Sequence, residues 1–317
     1  MSHHSVPQQV HRLWSTEHEP VLEVEDGDTV SFDLTEATDG QFDPTSTVEA
    51  VAGFDWDRVY PLAGPIVVKD AEPGDVLEVE FLELRSVDWG WTAVLPGLGL
   101  LAEDFPDAHL HLWDLTGGDT ANFLDVADIP IRPFCGVVGV CPDVTEPQSV
   151  LPPGHFGGNV DCKDLVVGTR LYLPVQVPGA RLSLGDPHAA QGDGELCVSA
   201  IEASLSGAAR IRLHKGRRIP APQFETPAPQ FETPGPLHPD PARAGHYATM
   251  GVAPDLMHAA QDATRAMIDH LGTRYGLAPI DAYVLCSVAV DLRITEVVDA
   301  PNWIVTAHLP KAILRSL

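Results

Sequence analysis

Along most of this chain apolar and polar residues alternate with a period of two. Val76 to Leu84 sets Val, Leu and Phe against Glu, the pattern of a strand with one wet face. Thr29 to Leu34, Leu171 to Val177 and Leu196 to Glu202 read as further strands. Val21 to Val30, with Asp26-Gly27-Asp28 as its turn, predicts hairpin-like chain. Arg210 and Arg212 fall on one strand face, Ile211 and Leu213 on the other. One long stretch is helical: Leu256, Ala259, Ala260, Ala263, Met267, Leu271 and Tyr275 recur at helical spacing, with Asp255 as N-cap and Gly276 as stop. Leu277-Ala278-Pro279 breaks that helix, Ile280 to Cys286 predicts a second short one, and Val288 to Val298 a last strand. Many short strands with Pro/Gly turns and one long late helix predict a β-rich α+β fold: a sandwich or jelly-roll-like β domain plus a smaller α+β part. The division falls near residue 140, giving an N-terminal β-rich part (1–140) and a C-terminal α+β part (141–317), either separate or one intertwined unit.

One stretch breaks the alternation with chemistry. Gly185-Asp186-Pro187-His188-Ala189-Ala190-Gln191-Gly192-Asp193-Gly194-Glu195 carries three carboxylates, an imidazole and a carboxamide between two strand-like runs. Its glycines and proline predict a loop that aims side chains from a rigid scaffold. Asp186 and His188 are two apart, as are Asp193 and Glu195, so each pair shares a side in extended chain. Carboxylate with imidazole suits zinc or another divalent cation. The alternative for so acidic a turn is a solvated surface loop.

Composition narrows the partners. The 317 residues are 44% hydrophobic, enough for a sizeable core, and carry a net charge of -26. Such a charge repels nucleic acid and anionic membrane surfaces. No run of eighteen apolar residues predicts a membrane span, and the first residues have no signal-peptide pattern. Five widely spaced cysteines without C-x-x-C fit a reducing cytoplasm and buried packing; Cys162, next to Asp161, is the candidate nucleophile among them. His11, and His109 with His111, are further candidate ligands beside their packing roles. Residues 210–218 form the one basic island, a candidate contact for acidic surface on a partner subunit. Ala221 to Pro227 (APQFETP) recurs from Ala228 to Pro234, a duplication in extended, proline-rich chain.

Longer motifs carry a resemblance. Pro152 to Asp161 (PPGHFGGNVD), Leu171 to Ala180 (LYLPVQVPGA) and Gly185 to Glu195 are similar, in order, to the signature of the acetamidase/formamidase family. Pro65 to Asp75, Trp89 to Thr92 with Pro96 to Gly99, Pro133 to Val140 and Leu285 to Val298 resemble its other blocks. The resemblance implies hydrolysis of a short-chain amide to carboxylate and ammonia by a homo-oligomer, with a dimer favoured. It also makes Glu36, Asp39, Gln41 and Asp291 secondary candidates. Where many relatives read His-Pro-Leu-Thr-Gly-Pro, this chain has Tyr60 and Ala63 in place of the His and Thr. No G-x-S-x-G nucleophile elbow is present, so a metal-activated water fits the residues better than a serine. The expected ligands are Asp186, His188, Asp193 and Asp161, with zinc favoured over calcium. Glu195 is the expected general base, and Asn159 and Gln191 the substrate-binding amides. The alternatives are a lactam or other small C–N substrate, and a non-catalytic binding protein with a structural calcium site.

Overall fold

The computed structural model describes residues 1–226, 246–296 and 303–315. Two large sheets face each other. The six-stranded sheet has the order β1 (His3–Ser5), β5 (Thr29–Leu34), β18 (Leu205–His214), β7 (Val76–Ser86), β15 (Arg170–Pro174), β19 (Gln223–Glu225). The nine-stranded sheet runs β14 (Gly157–Asn159), β12 (Phe134–Val140), β16 (Leu182–Ala190), β17 (Ile201–Glu202), β8 (Trp89–Val94), β9 (His109–Asp114). β6 (Leu62–Val68) also pairs with β16, and carries β2 (Val10–His11) and β4 (Leu22–Val24). Strands from both sides of residue 140 interleave in each large sheet. Val30, Phe32, Val79, Phe81, Ile66, Val137, Leu182, Leu184 and Ile211 fill one core between them. Two small ribbons, β3 (Leu13–Trp14) with β13 (Gln148–Ser149) and β10 (Thr120–Phe123) with β11 (Ala127–Pro130), close the edges.

The α+β part packs at one end. A three-stranded sheet, β20 (His246–Ala253), β22 (Trp303–Pro310), β21 (Asp291–Glu296), is covered by α2 (Leu256–Tyr275), and α3 (Pro279–Ala289) packs beside it. α2 obeys its sequence signals. Asp255 accepts from His258 N, and Gly276 closes the helix in the left-handed conformation at φ 73°. Ala263, Met267 and Leu271 meet Tyr283, Leu285 and Ala307 in a second core. Among the described residues no helix is long and apolar enough to cross a membrane.

Three expectations change. β4 and β5 are no hairpin: β4 runs parallel to β6 while β5 pairs with β18 in the other sheet. Asp28 holds the corner between them by accepting from the backbone of Ser2 and Glu25. Residues 182–190, expected as a loop from Gly185 on, are the buried strand β16, laddered to β12 on one side and to β17 and β6 on the other. Pro187 is tolerated there because the β17 pairing carries an irregularity between His188 and Ala190. Only Ile201–Glu202 of the run after the turn is strand. The preceding backbone bonds side chains instead, Cys197 N to Ser287 Oγ and Ala200 N to Glu202 Oε1. The second copy of the APQFETP repeat, Ala228 to Pro234, lies outside the described residues; the first supplies the edge strand β19. Residues 42–57, without a clear period, contain a short helix α1 (Val48–Gly53).

Glu36, just after β5, locks the first sheet onto the second. Its buried carboxylate accepts from Trp91 Nε1 of β8, from Thr38 N and Oγ1, and from Gly40 N. Truncation leaves those donors without acceptors. Glu36→Ala is expected to lower stability by roughly 3 kcal/mol, read as a shifted denaturation midpoint; an unchanged midpoint contradicts this role.

Candidate active site

β12 and β16 run antiparallel, with Phe134 opposite His188, Cys135 opposite Pro187 and Val137 opposite Gly185. Gly136 therefore lies beside Asp186. It has no side chain, and the space is taken: a Cβ there would lie 2.8 Å from Asp161 Oδ1, from Asp186 Oδ2 and from His188 Cε1. Asp161 follows β14, its backbone N–H and that of Val160 donating to Gly136 O. β17 then brings a residue the sequence did not flag. Glu202 is the register partner of His188 and is almost wholly buried. Glu195 arrives from the turn after β16.

The result is a cluster of carboxylates around one imidazole. His188 Nε2 is 3.2 Å from Glu202 Oε2, 3.4 Å from Asp186 Oδ2 and 3.9 Å from Glu195 Oε1. Phe134 packs edge-on against the imidazole. Asp161, Asp186 and His188 form one set of converging ligand atoms within 4.8 Å, and His188, Glu195 and Glu202 another. Asn159 Oδ1, Asp161 Oδ1, Asp186 Oδ1, His188 Nε2 and Glu202 Oε2 are buried without a hydrogen-bond partner. Buried polar atoms left unpaired are costly, and converging acceptors with no donor fit a cation. Gln191 prepares the imidazole. Its Nε2 donates to Asp161 O (2.8 Å), so its Oε1 faces His188 Nδ1 (2.9 Å) and accepts that N–H. When the ring is neutral, Nε2 is then the nitrogen left to bind a metal. The backbone is bent to make this geometry: Asp161, Asp186 and Glu195 sit at φ 42°, 50° and 44°. Left-handed backbone costs a residue with a Cβ about 1–2 kcal/mol.

The charges follow from burial. It pushes Asp161 up to about 7 and Asp186 up to about 6, against the pull of His188. Glu195 is raised well above the usual carboxylate range, by burial and then by Asp161. His188 is raised well above an ordinary histidine, because Glu202 and Asp186 outweigh its desolvation. Tyr60, where many relatives carry His, is driven far up by burial and by the charges of Asp186, Glu195, Glu202 and Asp161, so it faces the cluster as a neutral phenol.

The other sequence candidates lie elsewhere. Asp193 faces Lys163 Nζ at 3.5 Å, and its backbone N–H donates to Asp291 Oδ1. Lys163 also holds Asp291. Asp193 is thus drawn out of the cluster by a cation of the chain itself. His11 bonds Ser183 Oγ and Leu13 O. Asp39 pairs with Arg12 and Arg58, and Gln41 ties to Thr38 and Asp55. His109 meets Asp281, while His111 is packed between Trp113 and Phe123 and lowered to about 4 by burial. Burial raises the Cys162 thiol and pushes Cys135 up to about 12, which disfavours a thiolate at either. Arg210 finds its carboxylate within the chain, 2.9 Å from Glu80 of β7.

Two outcomes follow. Gly136→Ala is expected to abolish metal retention, measured as metal per chain after gel filtration, while the far-UV dichroism stays native. Full metal content in that variant contradicts the cluster. In chelator-treated protein, Asp161 and Asp186 have folded pKa values above their unfolded 3.8, so the unfolded state binds fewer protons between about 4 and 7. Stability of the metal-free form must fall as pH rises through that window. His188, raised in the folded state, adds stability below its unfolded value that is lost as pH rises, with the same sign. The gap in Tm between metal-loaded and metal-free protein should therefore widen from pH 5 to pH 8; a constant gap contradicts this assignment.

Known proteins place the chain. The acetamidase/formamidase family profile matches residues 2–150 and 144–316. A formamidase of Methylophilus methylotrophus is 26% identical, over 96% of this chain and 89% of its own length. An acetamidase of Mycolicibacterium smegmatis is 27% identical, over 59% of this chain and 61% of its own. Among solved structures, a gamma lactamase from Delftia acidovorans superposes with a TM-score of 0.87 at 28% identity, covering 97% of this chain and 90% of that one. An acetamidase from Bacillus halodurans gives 0.66 at 31% identity, covering 98% and 97%. The motifs, the fold and the matches agree, and the chain belongs to the acetamidase/formamidase family of amide C–N hydrolases.

Proposed function

We propose that this protein cleaves short-chain amides such as formamide and acetamide to carboxylate and ammonia at the His188 cluster, with a resident divalent cation. The observation that carries the reading is the set of unpaired, converging oxygen and nitrogen atoms on Asp161, Asp186, His188 and Glu202. These four residues would hold the ion; Asp193 is left out because Lys163 engages it. An imidazole among the donors favours zinc over calcium. When bound, the ion supplies Lewis acidity toward the amide carbonyl and lowers the pKa of water.

The chain's own groups supply the rest. An amide nitrogen leaves only once it is protonated, so the site needs a proton carrier. Glu195 fits this role. Its side chain is 18% exposed, against 1–4% for His188, Asp186 and Glu202, so it is more open to substrate than either of those two carboxylates. It takes the proton from water and returns it to the departing nitrogen. Asn159 Oδ1 is buried without a partner, which supports a role in accepting the substrate N–H. Gln191 acts through His188, holding its tautomer, and so positions the site without needing to touch substrate.

The greater structural likeness to the lactamase favours one second reading, a small lactam as substrate. A panel of formamide, acetamide, propionamide and 2-pyrrolidinone, assayed with and without chelator and after zinc return, ranks these substrates. Glu195→Gln is expected to lower kcat by about 10²- to 10⁴-fold with metal content unchanged. Loss of metal instead makes Glu195 a ligand, and undiminished turnover removes it from the mechanism.

A further inference from the structure

The unpaired atoms of the cluster are carboxylate and carboxamide oxygens and one imidazole nitrogen. Such a set suits a cation. It repels the negative oxygen that forms when water adds to an amide carbonyl, so the reaction needs a neighbouring donor that keeps its proton. Tyr60 carries a hydroxyl with these properties. It directly precedes Pro61 and β6, and this chain lies on the strand of the cluster. A Cβ at Gly185, next to Asp186, would lie 2.9 Å from Pro61 O and 3.3 Å from Leu62 Cα. The Tyr60 side chain is half-buried and packs both on the core between the sheets and on the group of Phe42, Trp91 and Ala93. Trp91 is the register partner of Glu202. The ring is thus bracketed by the neighbours of two cluster carboxylates, Asp186 on β16 and Glu202 on β17.

The charges of Asp186, Glu195, Glu202 and Asp161 all act on this phenol, and with its burial they keep the proton on its oxygen. The hydroxyl nevertheless bonds none of the four: it makes no hydrogen bond among the described residues. Nor is it sealed off, unlike Asn159 Oδ1 and Asp161 Oδ1, which are buried without a partner. A neutral O–H beside four carboxylates, unspent and open to an entering molecule, is the donor that the cluster itself lacks.

We propose that the Tyr60 hydroxyl donates a hydrogen bond to the substrate carbonyl oxygen, a bond that strengthens as that oxygen becomes an oxyanion. The proposal rests on the amidase reading. In the addition step the water oxygen bonds the carbonyl carbon, its proton goes to Glu195, and the carbonyl π pair moves onto oxygen. Collapse returns that pair, breaks the C–N bond and sends the nitrogen out as ammonia with the proton from Glu195. The acid left behind passes its own proton to ammonia, giving carboxylate and ammonium. Tyr60 keeps its proton throughout. A contact that is stronger in the transition state than in the bound substrate acts on kcat rather than on KM.

Tyr60→Phe removes the hydroxyl and keeps the ring. With the best substrate of the amide panel and zinc-loaded protein, kcat is expected to fall by about 10²- to 10³-fold, with KM, zinc per chain, Tm and the shape of the kcat pH profile unchanged. A separate binding measurement uses methylboronic acid, which takes up water to give a tetrahedral anion the size of hydrated acetamide. Calorimetry should show it bound about ten-fold or more weakly by Tyr60→Phe than by wild type. Amide hydrolysis with an undiminished kcat in Tyr60→Phe overturns the donor and leaves the amidase reading intact. Zinc loss in that variant, or a lost limb of its pH profile, also overturns the donor, making Tyr60 a support of the metal site or a proton carrier. Boronate binding that depends on Tyr60, without hydrolysis of any amide, supports the donor and overturns the amidase reading. Boronate binding indifferent to Tyr60, with no amide hydrolysed, overturns both.

Discussion

Four carboxylates crowd one imidazole, with Asp186, Glu202 and His188 almost wholly buried, and most of the local structure answers that constraint. Burying an ionised carboxylate costs several kcal/mol unless an opposite charge compensates it. Within the chain the compensation is thin. Among the described residues His188 is the one basic group close to the cluster's oxygens, while Lys163 is spent on Asp193 and Asp291. The raised pKa values of Asp161, Asp186 and Glu195 express this imbalance, and three residues in left-handed backbone add strain to it. Strain and unpaired charge at one point are the marks of a site kept for chemistry rather than for stability.

The scaffold tolerates this because the cluster stands on central strands. β16 and β12 are buried along their whole length, so their ladders fix Asp186, His188 and Gly136 to the register of a packed sheet. Glu36 clamps the loop after β5 to Trp91. α3 presses Ser287 onto the turn that delivers Glu195, accepting from Cys197 N and donating to Ser199 O. Every one of these supports is a buried hydrogen bond or ladder contact, rigid on the scale that catalytic geometry requires.

Much of this was legible in the sequence, for identifiable reasons. α2 carried its period, its cap and its stop in local residues, and its observed span follows them. The motifs named the family, and they located Asp161, Asp186, His188 and Glu195 within one cluster. Glu202 is not legible in the sequence, because it meets His188 through strand register, which no sequence spacing records; an acidic residue closing the run 196–202 is its signal. Spacing from Glu195 makes Asp193 a candidate ligand, yet Lys163 faces it at 3.5 Å, and that pairing is tertiary. Gln191 bonds His188 Nδ1, a contact its place in the sequence does not reveal, because a carboxamide cannot announce which neighbour it serves. The stretch from Gly185 reads as a loop in sequence because Gly and Pro are local signals, whereas its burial between two neighbouring strands is tertiary.

The most direct test of the account is calorimetric titration of zinc into chelator-treated protein at pH 7, in two buffers of different ionisation enthalpy. His188 and the raised carboxylates must lose protons to act as ligands. The account requires one ion per chain and a net release of protons to the buffer. Binding without proton release, or no saturable site, would contradict it.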